Sequence, residues 1–200
     1  VGADEVSAFA RRWGIEGPII GMVARLAAEK GVEVLLNALP QVLATYPGAR
    51  VIFAGPHKDV LGEQAYARRL APHIERLGER WTFAGNLTQR ELAAFYPNCS
   101  VVVVPSLNST EAFGLVQIEA MLSGTPSIAS ALPGVRQPVI TTGMGRVVPI
   151  GDSAALAEAI IEVIGARASY VRPREAISAR YNNDRPAEGY EALLAAMAAG

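Results

Sequence analysis

The sequence predicts a doubly wound α/β fold, a parallel sheet with helices on both faces. Short apolar runs recur along the chain, bounded by Gly, Pro and polar residues. Longer segments with helical spacing alternate with them. The runs are apolar at consecutive positions, as strands buried on both sides require. Such a sheet is Rossmann-like, and its ligands lie beyond the carboxyl ends of the strands, where the strand order reverses.

The elements follow in order. A polar, helix-like piece runs from Asp4 to Trp13. The chain starts at Val1 without a methionine, and the expectation is a fragment excised from a longer protein. Residues 18–23 read as a buried strand and residues 24–31 as a loop. A helix follows from Val32 to Tyr46, with Val32, Leu35, Leu36, Leu39, Val42 and Leu43 on one face and a kink expected at Pro40. Residues 50–54 form the next strand, and Gly55-Pro56-His57-Lys58-Asp59 the loop behind it. A helix spans about Gly62 to Leu77. Residues 81–84 are a short strand, followed by Gly85-Asn86-Leu87. Thr88, with Glu91 three residues on, predicts a capping box for a helix ending near Tyr96-Pro97.

The unbroken run Val101 to Val104 is the clearest strand. A polar loop, residues 105–110, leads from it to a helix from about Phe113 to Leu122, stopped by Ser123-Gly124-Thr125-Pro126. Residues 126–129 read as a strand, 133–138 as a turn-rich loop and 145–149 as another strand. Asp152 or Ser153 caps a helix to Ile164. From Ser169 to Ala199 the pattern is helical, interrupted near Asn182-Asn183-Asp184 and Pro186. Tyr190, Leu193, Leu194 and Met197 form an apolar stripe, either packed on this domain or left for another.

The totals narrow the function. Two hundred residues, 50% hydrophobic and 18% charged, suit one soluble domain over residues 1–200. No run approaches the ~20 apolar residues of a membrane span, and no signal peptide is read at the start. A net charge of −1, with no basic stripe, argues against nucleic acid. One cysteine, Cys99, and two histidines, His57 and His73, give no metal cluster, and the expectation is no metal and no cofactor. Cys99 reads as a packed thiol and His73 as a surface residue. Of the 18 basic residues only Lys30 and Lys58 are lysines, and both fall in loops after strands.

The loop residues carry the chemistry. Glu111 sits at the mouth of a helix N-terminus, whose free N–H groups and positive partial charge suit a phosphate. Gly114 lets backbone approach a ligand closely. Glu119, further along that helix, is placed to accept the hydroxyls of a ribose. Alone, the two glutamates read as dipole compensation and a solvated face, and only their company favours a site. Arg25 and Lys30, with Gly31 opening the next helix, read either as a pyrophosphate clamp or as surface cations, one of them paired with Glu29. The loop is not a Walker A sequence, and Gly21-x-x-Ala24 lacks the dinucleotide fingerprint.

Together, Arg25 with Lys30, Gly55-Pro56, Phe83-Ala84-Gly85, the stretch Glu111 to Glu119 and Gly124-Thr125-Pro126 form a more specific set. From Pro18 to Ala199 the chain resembles the C-terminal, donor-binding half of a GT-B fold glycosyltransferase, in family 4 of the retaining enzymes. Gly143 to Asp152 also resembles that family's stretch before its last helices. The resemblance implies that Arg25, Lys30 and Glu111 form the catalytic set. The two cations bind the diphosphate of a nucleotide-diphosphate sugar and stabilise the leaving group, and Glu111 contacts the sugar hydroxyls. It further implies that backbone N–H groups of Phe113, Gly114 and Leu115 hold the distal phosphate and that Glu119 holds the ribose. Gly55, Pro56, Asn86 and Leu87 would line the base pocket.

The resemblance also implies an N-terminal acceptor domain as partner, absent here, so the isolated chain is expected to transfer nothing. A cytoplasmic location is expected, with any peripheral membrane association running through the absent half. The expected acceptor is a glycan or a lipid-linked or cell-envelope saccharide. One loop departs from the family pattern: Pro133-Gly134-Val135-Arg136-Gln137 lacks the usual acidic residue, which puts a sugar-holding role there in doubt. A non-catalytic nucleotide-binding module and a sugar-nucleotide epimerase half-domain remain the alternatives. A nicotinamide oxidoreductase lacks its glycine fingerprint here, and a pyridoxal phosphate phosphorylase has almost no candidate lysine.

Overall fold

The computed structural model describes residues 1–181. Its core is a six-stranded sheet in the order β3-β2-β1-β4-β5-β6. The strands are β1 (Ile19–Val23), β2 (Arg50–Ala54), β3 (Trp81–Gly85), β4 (Val101–Val104), β5 (Ser127–Ser130) and β6 (Gly145–Val148). Every pairing is parallel. The chain winds outward from β1 to β3, then returns to lay β4 against the other side of β1. That reversal is the switch point the sequence reading anticipated.

Consecutive strand side chains enter opposite cores, the two-residue period of a pleated strand. Ile20, Met22, Val51, Phe53, Val101 and Val103 join the large core beneath α2 (Val32–Thr45), α3 (Gln64–Leu77) and α7 (Ser153–Gly165). Ile19, Ile52 and Val102 join the opposite core beneath α1 (Ala3–Arg12) and α4 (Gln89–Asn98). Val104, Met121, Ala129 and Val139 form a third cluster, under α5 (Leu115–Leu122), α6 (Gln137–Thr142) and α9 (Arg174–Arg180). The short α8 (Arg167–Tyr170) links α7 to α9. All four β4 valines are buried, which is why that run is apolar throughout.

Most expected elements are present, and the differences have local causes. α2 runs through Pro40 as one assigned helix, and α3 likewise through Pro72. α5 begins at Leu115, two residues later than expected, because Gly114 adopts a left-handed N-cap conformation (φ 72°). α6 begins within the expected loop 133–138 and runs on into residues with no expected element: its sequence QPVITT is short, Pro-containing and β-branched, so propensity gives no helical signal. The stripe Tyr190, Leu193, Leu194 and Met197 lies outside the described residues. Cys99 is a buried free thiol, and His73 is exposed on α3. No helix among the described residues is long and apolar enough to cross a membrane.

The capping box at α4 is formed as expected: the Glu91 N–H donates to Thr88 Oγ1 at 3.2 Å, and the Thr88 N–H donates to Glu91 Oε2 at 2.9 Å. Thr88→Ala is expected to lower unfolding stability by about 1 kcal/mol, read from the urea midpoint. The Thr88 backbone bond, then the Arg12 guanidinium, hold the Glu91 carboxyl below its ordinary value of 4.5. A depressed carboxyl stabilises the fold fully above its unfolded value and loses that contribution as pH falls through the lower folded value. The fall in urea midpoint from pH 6 to below about pH 4 is therefore expected to be smaller in Glu91→Gln than in the native sequence.

Candidate functional site at the carboxyl ends of β1 and β4

A crevice of ≈ 580 Å³ opens where β1 and β4 end, lined by Arg25, Lys30, Ser106, Glu111, Phe113, Gly114 and Leu115 among others. Two loops, distant in sequence, meet to make it. The Leu26 N–H donates to Pro56 O at 2.8 Å, tying the β1 loop to the β2 loop. The Leu107 N–H donates to Glu29 O at 2.8 Å, tying the β4 loop to the β1 loop. Between them a single 3₁₀ turn, Ala28–Lys30, ends at Gly31 in the left-handed region.

Lys30 Nζ donates to Glu111 Oε2 at 2.7 Å across this junction, with the two side chains 18% and 22% exposed. Arg25 is more open and pairs with Glu29, the partner weighed in its surface-cation reading. The crevice is therefore charged on both signs. Lys30 and Arg25 offer donors to anionic oxygens, and the Glu111 carboxylate offers an acceptor to hydroxyls.

The N-terminus of α5 faces the same crevice, with Gly114 as its N-cap and no side chain capping it. Its first N–H groups remain available to an anion. The loop before it is fixed from two sides. Asn108 Oδ1 accepts from the Thr110 N–H at 3.1 Å and from Thr110 Oγ1 at 2.6 Å. Gln117, fully buried, donates from Nε2 to Val135 O at 2.8 Å and to Phe113 O at 3.4 Å, while its Oε1 accepts from Ser127 Oγ at 3.3 Å. At Gly134 even a Cβ would lie 1.8 Å from Ala112 O, so the β5 loop packs backbone to backbone on the glutamate loop. The loop that departs from the family pattern thus supports the crevice from behind. Gln117 was missed because a Gln inside a helical pattern reads as solvated; its even spacing with buried Met121 was the available signal.

The other expected residues separate into two further places. Gly55, Pro56 and Asn86 line a smaller hollow of ≈ 200 Å³, together with Gly85, Lys58 and His57. The His57 ring stacks on Phe83 at 4.2 Å and 7°, with Nδ1 3.3 Å from Gly55 O. A carbonyl only accepts, so Nδ1 carries the hydrogen of that contact. Leu87 packs against the core under α1 and α4.

Glu119 stands apart from the crevice. It lies four residues after Leu115, one turn further along the same side of α5. It lines a separate hollow of ≈ 510 Å³ between α4 and α5, where Tyr96 Oη donates to its Oε2 at 2.6 Å. The structure thus brings Arg25, Lys30, Glu111 and residues 113–115 into one cavity, Gly55, Pro56 and Asn86 into a second hollow and Glu119 into a third, and packs Leu87 against the core.

Comparison with known proteins now gives the family. The sequence matches the family described as glycosyl transferases group 1 over residues 6–180. The chain belongs to that family. It is 33% identical to a D-inositol 3-phosphate glycosyltransferase of Acidothermus cellulolyticus over 182 residues, which is 88% of this chain and 40% of that protein. The fold superimposes on Anabaena HepE, solved in complex with UDP and glucose, with a TM-score of 0.81 and 26% identity over 96% of this chain and 53% of that one. It also superimposes on sucrose-phosphate synthase of Thermosynechococcus elongatus, with a TM-score of 0.79 and 33% identity over 95% of this chain and 49% of that one. The group 1 chain described here thus spans about half the length, or less, of these relatives. These likenesses establish membership of the glycosyl transferases group 1 family and a Rossmann-like fold that matches solved GT-B glycosyltransferases.

Proposed function

We propose that this chain is the donor-binding half of a retaining hexosyltransferase of family 4, taking a nucleotide-diphosphate sugar as donor. The observation that carries the reading is the Lys30–Glu111 pair beside the uncapped N-terminus of α5, inside a crevice at the strand-order switch point. A sugar–phosphate bond breaks with cationic character on the sugar and negative charge growing on the diphosphate. Lys30, Arg25 and the α5 N–H groups are aimed where that charge grows and so stabilise the transition state more than the ground state. In this reading those fixed positive groups replace a metal ion. Glu111, oriented by Lys30, accepts from the sugar hydroxyls. The base occupies the hollow at Gly55, Pro56 and Asn86, and Glu119 takes the ribose. Binding of UDP and glucose by HepE supports the donor class.

The acceptor, a glycan or a lipid-linked or cell-envelope saccharide in this reading, belongs to an N-terminal domain of the same protein. The 40% share of the Acidothermus relative leaves room for one. Any peripheral membrane association would run through that domain, and the reading includes a cytoplasmic location. The 200-residue chain alone is expected to transfer no sugar, and detectable transfer by it would overturn that part of the reading.

Thermal unfolding in the presence of UDP, GDP and ADP tests the donor site. One nucleotide at a hundred times its dissociation constant is expected to add about 2.7 kcal/mol of stability. At the same nucleotide concentration that gain should fall to about 0.4–1.4 kcal/mol in Lys30→Ala. No gain with any of the three, in this chain or joined to an acceptor domain, would sink the reading.

A further inference from the structure

Glu119 is the one charged group of the expected donor site whose side chain the structure finds held by a buried partner outside the crevice. The Tyr96 phenol donates to its Oε2 at 2.6 Å. Tyr96 is only 2% exposed and is held within the core under α1 and α4. Its ring packs on Phe95 at 5.6 Å. Its own carbonyl accepts from Thr125 Oγ1 at 2.6 Å, which ties the end of α4 to the turn after α5. Glu119 is anchored at the backbone too, since its carbonyl accepts from Ser123 Oγ at 2.9 Å. The phenol is therefore a rigid post, and the carboxylate of an exposed glutamate is attached to it.

We propose that Tyr96 is a positioning residue for the donor site: it fixes the Glu119 carboxylate between α4 and α5 so that its remaining lone pairs meet the ribose hydroxyls. The inference rests on the donor-binding reading above. Among the described residues Glu119 Oε1 has no hydrogen-bond partner, and Oε2 retains a second lone pair. An unrestrained glutamate loses side-chain entropy when it captures a hydroxyl pair. One already held by a buried phenol has lost most of that freedom beforehand. Burial first, and the Glu119 carboxylate second, push the Tyr96 phenol well above its ordinary value, so it stays protonated and donating.

Ribose recognition can be isolated by comparing each of UDP, GDP and ADP with its 2′-deoxy form in calorimetric titrations. The tightest binder is expected to lose about tenfold or more in affinity on losing the hydroxyl, a charge-assisted bond's worth. Glu119→Ala should bring the ribo and deoxy affinities together. Tyr96→Phe removes only the oxygen, and is expected to shrink the ribo preference to about threefold or less while leaving the deoxy affinity unchanged. A purely structural tyrosine would instead weaken both forms alike. A Tyr96→Phe variant that keeps or sharpens the ribo preference, where Glu119→Ala has abolished it, overturns the positioning role alone. A native chain that binds no nucleotide, or shows no ribo preference, or keeps it in Glu119→Ala, overturns the ribose reading and the role of Tyr96 with it.

Discussion

Lys30→Ala is expected to weaken nucleoside diphosphate binding about tenfold to a hundredfold, while leaving the parent nucleoside's affinity unchanged. The ammonium is the donor nearest the glutamate of the crevice, 2.7 Å from Glu111, and only 18% exposed. A bond from such a group to a charged oxygen contributes about 1.5–3 kcal/mol, which gives that range. A second effect acts in the same direction. Without Lys30 the Glu111 carboxylate stands unneutralised beside the diphosphate and repels it. In a protein that joins this domain to an acceptor-binding half, the sugar-transfer kcat should fall further, by about 10²–10³-fold, as when a preorganised charge-stabilising donor is removed. Lys30→Arg should recover part of the binding and less of the rate, since a planar fork cannot occupy the position of a point charge. Isothermal titration with nucleoside, monophosphate and diphosphate separates these terms. An equal loss for all three would mean that Lys30 only holds the fold together.

Gly31→Ala is expected to be strongly destabilising, by about 2–5 kcal/mol. Gly31 has φ of 71°, which costs a residue with a Cβ about 1–2 kcal/mol. Its Cβ would also lie 2.0 Å from Pro105 O, a backbone atom that cannot swing away. Relieving that overlap means moving the β1 loop off the β4 loop, a further packing cost of about 1–3 kcal/mol. Gly124→Ala provides the control: φ is 77°, but nothing lies within 4 Å of its Cβ, so only the conformational cost of about 1–2 kcal/mol applies. Urea unfolding of both variants reads the difference. Because Gly31 adjoins Lys30, the folded fraction of Gly31→Ala should also bind nucleoside diphosphate less tightly. Equal losses for the two variants would show that the β1 and β4 loops separate freely.

The strands, most helices and the caps at Thr88 and Asp152 were legible in the sequence because each is written in adjacent residues. Consecutive valines mark a strand buried on both faces, and Thr88 with Glu91 marks a helix start. Arg25, Lys30, Glu111 and residues 113–115 were legible as candidates because each lies just past a strand end, where a parallel sheet gathers its loops. The short helix α6 escaped because nothing in QPVITT favours a helix locally; Val139 is buried by tertiary packing.

Partnership was decided by the tertiary structure alone. Lys30 and Glu111 are 81 residues apart, and only the return of the chain to set β4 beside β1 makes them neighbours. Arg25 was equally basic on paper, yet it is occupied by Glu29 four residues on. Glu119 shared a motif with Glu111, but the packing of α5 on α4 turned it to Tyr96, 23 residues earlier in the chain. The sequence determines which side chains are available and the local shape of the backbone that carries them, because propensity and periodicity act over a few residues. Which charges meet depends on strand order and helix packing, and those follow from the burial of the whole apolar surface at once.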